Sequence, residues 1–65
     1  MDKRTLILVR RWLQSDKQGA MTAAEESDKY SLSLRRDAQL LINMVYDRAI
    51  SVIDDMLEEA LLNEK

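Results

Sequence analysis

Residues 35–63 read RRDAQLLINMVYDRAISVIDDMLEEALLN, and this stretch decides the fold class. Ala38, Ile42, Val45, Ala49, Val52, Met56 and Ala60 recur at spacings of four, three, four, three, four and four. An α-helix turns once in 3.6 residues, so these positions share one face. Leu41, Tyr46, Ile53, Leu57 and Leu61 widen that face into a broad apolar stripe, with Met44 and Met56 as packing groups within it. The spacing predicts one long amphipathic helix of roughly 29 residues, about 44 Å from end to end.

Upstream, the only glycine is Gly19 and there is no proline. The polar stretch Ser15-Asp16-Lys17-Gln18-Gly19 is therefore the one strong punctuation mark, and it predicts a break. Before it, Leu6, Val9 and Leu13 suit a short helix over residues 3–14, with Asp2 as its cap and Trp12 as a core anchor. The run Leu6-Ile7-Leu8-Val9 would also suit a short buried strand. After the break, Thr22 and Glu25 have the spacing of a capping box. Lys29-Tyr30-Ser31-Leu32-Ser33-Leu34 then alternates polar and apolar as a half-buried strand does.

A chain of 65 residues holds one domain and buries little apolar surface. It has neither Cys nor His, which removes disulfides, thiolate and imidazole metal ligands, thiol chemistry and the usual general base. No cofactor is expected. The expected fold is all-α: a short N-terminal helix plus one long amphipathic helix. The stripe is wider than a short helix can cover, so a homodimeric helical bundle is expected, with the seven stripe residues Ala38 to Ala60 at its interface or core.

With 46% hydrophobic and 34% charged residues, the chain is too apolar for disorder and too charged for a membrane. Its longest apolar run is four residues and ends at Arg10 and Arg11, so neither a spanning helix nor an export signal is read. That composition predicts a cytoplasmic protein.

The net charge of −2 conceals a gradient. Residues 1–20 carry five basic groups against two acidic, while residues 35–65 carry four basic against seven acidic. Asp54, Asp55, Glu58 and Glu59 form the densest acidic set. Most simply they are a solvated face; as a functional surface they would dock a basic partner, including a neighbouring copy, or attract the chain's own basic start. Adjacent helical carboxylates diverge by about 100°, which disfavours shared acid–base chemistry. Arg10 and Arg11, with Lys3, Arg4 and Trp12, could meet phosphate while the indole stacks. An acidic chain lacks the overall basic bias of a non-specific nucleic-acid binder, so the better reading leaves the arginines solvent-exposed or salt-bridged, with Arg10 and Arg11 as candidate partner-binding residues.

The segment from Lys29 onward resembles the ribbon-helix-helix DNA-binding proteins, in which two chains pair a short strand each before two helices. The resemblance covers residues 29–64. It implies a strand with Tyr30, Leu32 and Leu34 facing the core and Lys29, Ser31 and Ser33 facing the bases. The DDMLEEAL stretch, residues 54–61, would stand for the second helix. Two function classes are thus expected: first a non-catalytic regulator or adaptor acting through helical protein–protein contact, and second a dimeric repressor or antitoxin.

Overall fold

A computed structural model describes residues 2–63 as two antiparallel α-helices, α1 (Lys3–Glu26) and α2 (Leu32–Asn63), joined by residues 27–31. Glu64 and Lys65, counted above in the acidic end, lie outside the described residues. No helix of the described chain is long and apolar enough to cross a membrane.

Helix α1 begins where Asp2 caps it. The backbone there is extended, and the Asp2 carboxylate accepts from the Arg4 amide at 2.9 Å. The Asp2 carbonyl accepts from Leu6 N at 3.2 Å, the first turn of the ladder. The expected break at residues 15–19 does not occur, and α1 runs through Gly19 to Glu26. Gly19 has no positive φ, and a helical glycine costs only about 1 kcal/mol relative to alanine. Its surroundings outweigh that: Ala20, Met21, Ala23, Ala24, Glu25 and Glu26 favour helix, and Ala20 and Ala24 continue the Leu6–Leu13 face toward α2. The first helix is therefore not short. Thr22 and Glu25 lie in its last turns rather than at a start.

The chain reverses at residues 27–31, where Ser27 leaves helical geometry and its carbonyl accepts from Tyr30 N at 3.4 Å. Ser31 then caps α2: its hydroxyl accepts from the Leu34 amide at 3.2 Å and its carbonyl from Arg35 N at 3.0 Å. This corrects the strand expected at residues 29–34. An isolated strand leaves its backbone groups unpaired, whereas the Ser31 cap brings Leu32, Ser33 and Leu34 into the first helical turn. Lys29, Ser31 and Ser33 consequently share no strand face, and Tyr30, Leu32 and Leu34 are exposed. The ribbon is not formed, and α2 continues unbroken to Asn63.

Between the helices the inward positions follow a seven-residue repeat. On α1 these are Leu6, Arg10, Leu13, Lys17, Ala20 and Ala24; on α2, Arg35, Gln39, Ile42, Tyr46, Ala49, Ile53, Met56 and Ala60. Spacings of three and four keep a stripe turned to a partner along its length, as in a coiled coil. Leu6 alone is fully buried among the described residues; the rest of the seam is half-shielded.

The stripe expected on α2 divides between the seam and the outer flank of the hairpin. Ala38, Ile42, Ala49, Met56 and Ala60 are partly shielded, but Val45 and Val52 are 66% and 51% exposed, their places taken by Tyr46 and Ile53. Trp12, expected as a core anchor, is 57% exposed. The molecule is a rod of 52 × 15 × 10 Å with a radius of gyration of 15.2 Å. A compact 65-residue domain would have about 11 Å.

Two stability changes follow. No atom approaches within 4 Å of a Cβ built on Gly19, so Gly19→Ala should stabilise the protein by about 0.5–1 kcal/mol in urea unfolding. A loss instead would reveal a neighbour against that position. Leu6→Ala removes the one fully buried side chain and should destabilise by about 2–3 kcal/mol, checked by the same titration.

Candidate functional site

Two helices side by side have two flanks, and here they differ in chemistry. One flank is polar. Arg10 Nε donates to Asp54 Oδ1 at 2.6 Å, and Lys17 Nζ donates to Asp47 Oδ1 at 2.7 Å. Nearer the connector, Gln39 Nε2 donates to the Met21 carbonyl at 3.3 Å and Arg35 Nη1 to the Glu25 carbonyl at 3.1 Å. The Glu25 carbonyl is among the last four of α1, which have no intrahelical partner, and the Met21 carbonyl lies one turn before it. As the α1 number rises the α2 number falls, so these bonds fix the antiparallel register. The hydrogen bond from Arg10 to Asp54, and then the carboxylate charge, raise the guanidinium above its ordinary value. Its positive charge is permanent in any case.

The other flank is apolar. Toward the connector it carries an open groove of about 570 Å³, lined by Ala20, Ala23, Ala24, Tyr30, Leu34, Arg35 and Ala38, with Ser27 and Ile42. The groove exists because alanines face each other across the seam where larger side chains would close it. Helical geometry extends this flank along the rod, where the exposed Asp16 and Glu59, within about 20° of Ala23 and Leu34, interrupt its apolar surface. Leu41, Val45 and Val52 fall within about 20° of Leu34, and Trp12 falls within about 20° of Ala23, three turns away. All four are exposed. Arg35 contributes an Nε that is shielded from solvent and has no hydrogen-bond acceptor.

The residues singled out from sequence are divided by this arrangement. Arg10 and Asp54 are brought together, so the basic start does fold onto the acidic end of its own chain. Asp55, Glu58, Glu59 and Arg11 are exposed on outward surfaces. No three acidic groups among the described residues are placed to hold a metal ion. The apolar flank built from α1 was missed, because ending α1 at residue 14 hid the repeat Leu6, Leu13, Ala20 that runs through Gly19.

No protein-family model, curated protein or solved structure matches this chain.

The polar flank predicts a reciprocal effect. Reversing Lys17 to Glu or Asp47 to Lys should each lower stability by up to about 1 kcal/mol, and the double reversal should restore it at low salt. Double-mutant thermal unfolding measures the coupling; additive losses would show that Lys17 and Asp47 do not interact in solution.

Proposed function

We propose that this chain is a small, non-catalytic regulatory or adaptor protein that works as a homodimer, through protein–protein contact on its helical surfaces. The observation that carries the reading is an excess of surface. The chain exposes 5288 Å², whereas a compact monomer of 7.6 kDa exposes about 4,300 Å². The difference, about 1,000 Å², is close to the roughly 800 Å² that each partner buries in a standard interface. Thirteen large apolar side chains are exposed among the described residues against one buried, which argues for a partner rather than for a free rod.

A second copy is the economical partner. Laying two hairpins together on their apolar flanks would cover Val45 and Val52 while leaving the polar flank and its ion pairs in water. The stripe residues Ala38, Ile42, Ala49, Met56 and Ala60 would then be shielded from two sides, within one chain and across the dimer. Asp55 and Glu58 would remain outward as the surface offered to a basic region of another protein. The lack of His and Cys supports a binding role over a catalytic one, and a cytoplasmic setting goes with this reading.

Sedimentation at micromolar concentration should give at least a dimer; a cooperatively folded monomer would overturn the proposal. Two substitutions separate the seams. Val45→Asp should dissociate the dimer with helicity largely kept, because it strikes only the outer flank. Ala49→Asp lies on the α1-facing repeat and should unfold the hairpin as well. Circular dichroism read beside sedimentation distinguishes the two.

A further inference from the structure

The dimer just proposed leaves open how the two flanks meet, and the size pattern along the flank decides it. Its connector half is hollow, with Ala20, Ala23 and Ala38 around the groove. Its other half is raised, with Trp12 as its largest exposed side chain. Close-packed interfaces set large side chains against small ones. With both connectors at the same end, two hollows would face each other, and each indole would press on the Ala49 to Val52 level. With the connectors at opposite ends, raised half meets hollow half twice.

We propose that Trp12 of each copy packs into the alanine-lined groove of the other, in an antiparallel, face-to-face dimer; this rests on the homodimer reading. Trp12 and Ala23 are eleven residues apart, about 16 Å along α1. A twofold axis that exchanges their levels crosses α1 near residues 17–18. The middle of α1 itself, Lys3–Glu26, lies at residues 14–15, about three residues or 4–5 Å from that axis. The register that seats the indole therefore still overlaps most of each hairpin. The groove volume of about 570 Å³ lies in the roughly 300–1,000 Å³ range of sites that enclose an organic group. Arg35 lines the same groove, and a guanidinium stacks well on an aromatic face.

The test uses the full chain. The association constant comes from sedimentation, and the position of Trp12 from its own fluorescence, since it is the only tryptophan. In the dimer the emission should be blue-shifted, moving red as dilution dissociates it. Trp12→Ala should weaken dimerisation about tenfold or more with helicity unchanged, because Trp12 is exposed in the single hairpin. Ala38→Leu fills the groove from below and should weaken the dimer similarly. Mixing the two variants should yield a heterodimer tighter than either parent, since one groove receives an indole and the other is already filled. A wild-type monomer would sink both the dimer reading and this one. A wild-type dimer whose emission ignores dilution, or which Trp12→Ala and Ala38→Leu leave equally tight, keeps the dimer and overturns the docking of Trp12.

Discussion

Everything in this molecule depends on having a single seam. Two helices pack along one line, so a side chain facing that line is covered on one side and open on its flanks. Leu6 escapes this limit and is fully buried; Ile42, Tyr46, Ala49 and Ile53 do not, although all sit on the inward repeat. Full burial of a leucine-sized side chain stabilises by about 1.5–3 kcal/mol, while ordering one residue opposes folding by about 1–2 kcal/mol. One complete burial among the described residues is a thin margin for a rod of this length. That constraint makes the open flanks, rather than the seam, the informative part of the surface.

The two flanks divide the labour of specifying the hairpin. On the polar side, paired groups at 2.6 and 2.7 Å link fixed positions, 10 with 54 and 17 with 47. Exposed pairs of this kind add little stability, but a slip of one helical turn would separate both at once. They choose the register. On the apolar side nothing is directional: alanines thin the wall toward the connector and Trp12 thickens it away from it. Shape alone can choose an alignment there, and only once a second surface is present.

The helical class and the presence of α2 were legible, because a period near 3.6 sustained over residues 35–63 has no strand equivalent. The misreadings have one cause: a local signal was allowed to overrule a longer one. Gly19 is a real cost to helix, but it falls among good helix formers whose alanines face α2, so the tertiary contact prevails. The alternation at residues 29–34 is a real pattern, but the Ser31 hydroxyl satisfies the Leu34 amide and α2 starts at Leu32. On α2 two apolar stripes adjoin, one through Ile42, Tyr46 and Ile53 and one through Leu41, Val45 and Val52. Periodicity sees their sum. Which of them faces α1 is fixed by the opposing helix, whose length had been underestimated.

The charge gradient acquires its sense from the same antiparallel arrangement. Basic groups near the start of α1 and acidic groups near the end of α2 each oppose their own helix dipole. Apart from the Asp2 cap of α1, the helix ends do not correct this: no acidic residue lies in the first turn and no basic residue in the last turn of either helix. Folding the chain back sets the two ends side by side. The carboxylate of Asp54 then meets the guanidinium of Arg10 at 2.6 Å, so each charge is answered by the facing helix. Charges that are misplaced for an isolated helix are well placed for the pair. The gradient therefore disfavours either helix alone and favours the hairpin, which makes it a device for specifying topology at little gain in stability.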